Sequence, residues 1–236
     1  MEHRKQAVEQ DQPTGREQPA NYELRFFEVE TRASSSDEEM KVGGYAAMFG
    51  KYTNMGWYAE VLEPGFFDGC DMEQCACLFN HDVNMVLGRK RSSTLVLKTD
   101  YSGLDYESKL PKTRADVYEV IERGDVYQSS FGFSVKEAKW EEMTREQLQG
   151  KMSEEAIDML LSAGTVSVRR LVKCRTLYDV SPVTFPAYQD TTVAKRSLEA
   201  YQEAQTPPPD EIRHSDTQII EIELERALLE RRMFQP

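Results

Sequence analysis

The stretch Thr94–Leu110, TLVLKTDYSGLDYESKL, decides the class of the fold. Thr94 to Thr99 and Gly103 to Leu110 alternate apolar and polar side chains with a period of two, and Asp-Tyr-Ser-Gly lies between them as a turn. That pattern predicts a half-buried antiparallel hairpin. Upstream, Lys41 to Phe49 (KVGGYAAMF) places two glycines among small residues in a strand-like setting, where glycine marks a bulge or a close backbone approach. Tyr22 to Glu30, Cys75 to Asn80, Phe131 to Val135 and Val166 to Asp179 read as further strands, Glu60 to Phe67 carries a Pro-Gly turn signal, Asn80-His81-Asp82 favours a loop, and Thr31 to Glu39 reads as a turn or mobile loop. Helical spacing occurs at Arg114 to Arg123, with Val117, Val120 and Ile121 on one face and Gly124 as a left-handed cap. It occurs again in the charged run Trp140 to Met159, interrupted near Gly150. The fold expected is mainly β, of the α+β class: an antiparallel β-barrel with flanking helices.

The 236 residues suffice for one packed domain with tails to spare, and a 39% hydrophobic content supports a real core. Residues 1–21 are polar and Gln/Glu-rich and read as a disordered arm; 22–200 form the expected domain. In 201–236, the run Thr206 to Pro209 is a stiff spacer before an amphipathic helix, Asp216 to Met233, a segment that looks removable. No apolar run approaches the roughly 18 residues of a spanning helix and no secretory signal is read, so no membrane partner is expected. A net charge of -12 repels a phosphate backbone, which excludes nucleic acid as the expected ligand. The cysteines Cys70, Cys75, Cys77 and Cys174 are expected as reduced thiols.

Of the three histidines, His3 and His214 fall in the tails and His81 closes a strand. In Gln128-Ser129-Ser130-Phe131-Gly132-Phe133, a strand would put Ser130 and Gly132 on one side and Ser129, Phe131 and Phe133 on the other. The first side offers a hydroxyl beside a residue without a side chain, leaving room for a peptide carbonyl. A serine nucleophile needs a base, which an imidazole supplies, and a third group to orient that base; Asp179 is a candidate carboxylate at a strand end. Each has an ordinary explanation as well: a loop side chain for His81, strand packing for Ser130, a solvated turn for Asp179. Cys75, Cys77 and His81 also share one face of an extended segment, which allows a zinc site or a Cys77–His81 thiol protease, although the Cys spacing lacks the usual ligand-pair gap. The charged helices suit a catalytically silent scaffold or assembly protein.

An ordered series of motifs adds to this. Gly43 to Phe49, Glu63 to Phe67, Asn80-His81-Asp82, Leu87-Gly88-Arg89, Gly103-Leu104, Leu110-Pro111, Arg123-Gly124-Asp125, Ser130 to Phe133 and Val183 to Tyr188 cover about residues 40 to 195. In this order they resemble the prohead maturation proteases of tailed bacteriophages, whose fold is similar to that of the herpesvirus maturation protease, assemblin. The resemblance implies a serine endopeptidase with His81 as base, Ser130 as nucleophile and Asp179 as third member, and no cofactor or metal. It implies the major capsid protein or scaffolding protein as substrate, self-cleavage near the C-terminal segment, a homo-oligomer, and a place inside the procapsid in the bacterial host cytoplasm. The cysteine cluster and the insert from Trp140 to Gly164 are not part of that pattern.

Overall fold

The computed structural model describes residues 21–27, 31–36, 39–185 and 201. The arm over 1–21 and the spacer and helix over 201–236 lie, but for Asn21 and Tyr201, outside these residues. Eleven strands are described: β1 (Glu23–Phe27), β2 (Arg32–Ser36), β3 (Glu39–Met48), β4 (Thr53–Asn54), β5 (Ala59–Leu62), β6 (Ala76–Phe79), β7 (Asp82–Arg89), β8 (Leu95–Thr99), β9 (Gly103–Lys109), β10 (Gln128–Thr144) and β11 (Thr165–Val183). The helices are α1 (Ala115–Glu122), α2 (Arg145–Leu148) and α3 (Glu154–Leu160), so the chain is mainly β. Among the described residues no helix is long and apolar enough to cross a membrane.

The β8–β9 hairpin forms as its alternation predicts, with Thr99 opposite Leu104 and Asp100 accepting from the Ser102 and Gly103 amides at 2.7 and 3.1 Å. Its inward side chains, Leu95, Leu104 and Tyr106, enter the main core. β9 pairs with β3, and β3 with β2, completing a four-stranded antiparallel sheet in the order β2-β3-β9-β8. Residues 32–36, within the stretch expected as a turn or loop, are strand. The serines hid a strand there, because β2 is an edge held by backbone pairing to β3 and needs few apolar side chains. A bulge falls between Tyr45 and Ala47, and Gly43 makes the close approach expected of this stretch, since a β-carbon there would lie 2.3 Å from the Tyr106 carbonyl oxygen; Gly103 makes a second, 1.9 Å from the Ala47 carbonyl oxygen. Gly103→Ala is therefore expected to cost about 3 kcal/mol through forced separation of β3 and β9. Urea denaturation measures it, and an unchanged midpoint would mean that the ladder yields freely.

The second sheet has seven strands, in the order β1-β10-β11-β5-β4, with β6 also on β11 and β7 beyond β6. β10 and β11 form one long antiparallel ladder from Gln128↔Val183 to Thr144↔Thr165, and α2 and α3 sit in the connection between them. Residues 140–144 were read as helix and are strand. The charges that made them look like a solvated helix are satisfied across the ladder: Glu141 by Arg170 at 2.7 Å, Glu142 by Thr165 and Ser167 at 2.9 and 2.7 Å. Tyr58 packs edge-on to Trp140. A second core of Ala59, Val61, Met143, Leu148, Ile157 and Val168 lies beneath.

The expectation of an antiparallel barrel is corrected here. β5 and β6 both run parallel to β11, and among the described residues no ladder closes either sheet. The reason is local. The Glu63-Pro64-Gly65-Phe66-Phe67 turn does not reverse the chain; it steps along β11, with Glu63 N–H donating to Leu171 O, Cys174 N–H to Phe66 O and Leu177 N–H to Asp71 O. That detour sends Phe66 and Phe67 into the core against Phe131 and Phe133, whose rings stack 4.7 Å apart. Helix α1 buries Val117, Tyr118 and Ile121, and Gly124 ends it at φ +82°, donating to Ile121 O.

Candidate active site

β6 and β7 are joined by a two-residue turn, Asn80-His81, with Phe79 opposite Asp82. Both turn residues have positive φ, 53° and 59°, the hand that matches strand twist in a tight hairpin. Asn and His are among the few residues that tolerate this region, at a cost of about 1–3 kcal/mol each. The turn is clamped to the end of β11: Asn80 N–H donates to Pro182 O at 3.0 Å, and Asn80 exchanges side-chain bonds with Thr184 at 2.8 and 3.2 Å. The imidazole of His81 is thereby aimed between β10 and β11.

There it meets both other candidates. His81 Nε2 lies 2.7 Å from Ser130 Oγ and His81 Nδ1 lies 2.6 Å from Asp179 Oδ1. Ser130 comes from β10 opposite Ser181, and Asp179 from β11 opposite Gly132 and beside Ala76 of β6. A carboxylate only accepts, so the imidazole proton sits on Nδ1 and the Nε2 lone pair faces the serine hydroxyl. Asp179 is 3% exposed and takes two further bonds, from Ser181 Oγ to Oδ1 and from the Tyr22 hydroxyl to Oδ2, both 2.8 Å. Burial, then the Asp179 charge, push the Tyr22 phenol above its ordinary range, which keeps it a donor.

Two features depart from the sequence reading. Gly132 was expected to leave room for a peptide carbonyl; the room is taken, since a β-carbon there would lie 2.3 Å from the Tyr22 hydroxyl and 2.4 Å from Asp179 Oδ2. Ser130 has no exposed surface, and its hydroxyl has a second acceptor, the Arg25 carbonyl of β1, at 2.9 Å. One proton cannot fully serve both acceptors. Ser129, on the opposite face of β10, is tied instead to the hydroxyls of Thr31 and Tyr106 at 3.1 and 3.0 Å. Ser181 was legible as the residue two positions from Asp179 on the same strand face. Tyr22 and the Arg25 carbonyl come from more than 100 positions away and had no signal.

The cysteines stand apart. Cys75 and Cys77 are buried in the core, and burial pushes the Cys77 thiol up to about 12, a poor state for a nucleophile or a metal ligand. Cys70 contacts Cys174 rather than the imidazole. Among the described residues no three His, Cys, Asp or Glu side chains are grouped to hold a metal ion. A cavity of about 280 Å³ lies farther along β7, lined by Leu87, Gly88, Thr94 and Leu110, and none of the three candidate side chains borders it. His3 and His214 lie outside the described residues.

A family model described as caudovirus prohead serine protease matches residues 27–204. No curated protein and no solved structure matches the chain.

Proposed function

Because the chain belongs to the caudovirus prohead serine protease family, we propose that Ser130, His81 and Asp179 are its nucleophile, base and orienting carboxylate. The observation that carries this reading is the continuous series from Ser130 Oγ through the imidazole to Asp179, at 2.7 and 2.6 Å. In the acylation step His81 Nε2 takes the hydroxyl proton as Ser130 Oγ bonds to the scissile carbonyl carbon, and the imidazolium then passes that proton to the departing amine. Water repeats the sequence on the acyl-enzyme: Nε2 accepts its proton, the carboxylic acid leaves, and Ser130 Oγ recovers the proton. Asp179 keeps the proton on Nδ1 throughout and offsets the charge of the imidazolium.

The Arg25 carbonyl competes for the Ser130 proton, and the serine is enclosed. Reaction therefore requires the Ser130 hydroxyl to turn from the Arg25 carbonyl to Nε2 and the enclosure to admit the scissile carbonyl. The substrates proposed are the major capsid protein or its scaffolding portion, and the chain itself near Ala200, inside the procapsid in the bacterial host cytoplasm and in a homo-oligomeric assembly. We assign the core the herpesvirus-protease-like fold on the same resemblance. Enclosure of Ser130 also fits a silent assembly protein, and co-expression with the capsid protein separates the two readings. A shortened capsid protein with the parent chain and a full-length one with Ser130→Ala is the result expected; full-length product with both supports the silent reading.

A further inference from the structure

The torsion that sets the plane of an aspartate carboxylate is soft, with a broad two-fold profile. That torsion turns about Cβ–Cγ and carries both oxygens with it; in Asp179 two of the three donors, His81 Nδ1 and Ser181 Oγ, share Oδ1, so a restraint through Oδ2 falls to the third. The third donor falls on the other oxygen: the Tyr22 hydroxyl, 2.8 Å from Oδ2. We propose that Tyr22 is a positioning residue for the reaction assigned to Ser130 and His81, locking the Asp179 carboxylate so that Oδ1 stays on His81 Nδ1. This rests on the protease reading.

The surroundings are built for that bond. The Tyr22 ring is held against Tyr178, centroids 5.6 Å apart. Gly132, directly across the ladder from Asp179, is the residue whose missing side chain lets phenol and carboxylate meet. Besides Tyr22, the groups facing Asp179 are His81 from the β6–β7 turn, Gly132 from β10, Ser181 from β11, and the thiols of Cys75 and Cys77 from the β6 side. The thiols are buried and raised above their ordinary range, so they bring no charge to Oδ2. Tyr22 precedes residues 27–204, the part of the chain that the family model matches.

Tyr22→Phe removes one oxygen. The expected result is a fall in kcat of about tenfold with KM unchanged, since Tyr22 touches Asp179 and not the substrate. The low-field proton resonance of His81 Nδ1–H, recorded in a Ser130→Ala background where no turnover occurs, is expected to move on addition of Tyr22→Phe. Gly132→Ala keeps both partners but drives a β-carbon between them, and Tyr22→Phe/Gly132→Ala is expected to lose no more kcat than the worse single variant. An unmoved resonance, equal kcat for Tyr22→Phe, or additive losses in the double variant would each overturn the role of Tyr22. A parent chain that cleaves nothing overturns the protease reading instead, and the resonance still decides whether Tyr22 orients the His81–Asp179 pair.

Discussion

His81→Asn is expected to lower the rate of peptide cleavage on the order of a million-fold while leaving the chain folded. Asparagine is chosen because position 81 has φ +59°, where alanine or a branched residue would strain the turn and confuse lost chemistry with lost structure. The magnitude follows from the division of labour in the site. A serine hydroxyl is almost wholly protonated at neutral pH, and without Nε2 at 2.7 Å nothing among the described contacts of Ser130 Oγ removes its proton; the Arg25 carbonyl accepts a hydrogen bond but is no base. The loss should not add to that of Ser130→Ala, because the two groups act as one unit. Single-turnover cleavage of a capsid-protein substrate measures it. A loss of less than about a hundredfold would place the base elsewhere.

The largest effect on stability is expected from Glu60→Ala, about 3–5 kcal/mol. Glu23, Glu60, Arg25 and Arg169 form a buried set of two acids and two arginines, each side chain no more than 5% exposed. Arg25 bonds both Glu60 oxygens and Glu23, and Arg169 bonds Glu23 at 2.8 Å and Glu60 at 3.1 Å. Deleting Glu60 leaves two guanidinium groups facing one carboxylate out of contact with water, and that uncompensated charge outweighs any single lost bond. A cost of that size is a large fraction of the 5–15 kcal/mol typical of a domain. A urea midpoint close to the parent's would show that water reaches the cluster.

The same cluster sets a pH dependence. Burial alone would raise the Glu23 carboxyl, but the Arg169 hydrogen bond and the charges of Arg25 and Arg169 outweigh it and hold it below the usual carboxylate range. A depressed carboxyl contributes stability that is complete above its unfolded value and is lost as pH falls through the lower folded value. The parent should therefore weaken below about pH 4.3, and Glu23→Gln should flatten that slope at the cost of stability at neutral pH.

What the sequence disclosed followed how local each signal is. The β8–β9 hairpin and helix α1 carry their own periodicity and turn chemistry, so Leu95, Tyr106, Val117 and Ile121 could be assigned to the core from spacing alone. The β10–β11 ladder could not be read at its far end, because Glu141 and Glu142 take their hydrogen bonds from residues 23 to 29 positions away. Nor could the parallel run of β5 and β6 beside β11, where a Pro-Gly turn that usually reverses a chain only steps it along the same strand. At the site, residue type and motif order nominated His81, Ser130 and Asp179, and the fold brings the three into one series of contacts. The Asn80-His81 turn left a local trace in its residue types, whereas the tyrosine and carbonyl that reach the site from β1 and the residue before it depend on tertiary packing and leave none.

The central claim, that Ser130 is the nucleophile of a protease, is tested most directly by intact mass against time for the purified chain beside Ser130→Ala. Self-cleavage requires no assumption about the partner substrate. The parent is expected to lose a terminal fragment, with the cut near Ala200, while Ser130→Ala keeps its full mass. The same fragment released at the same rate from both chains would contradict it.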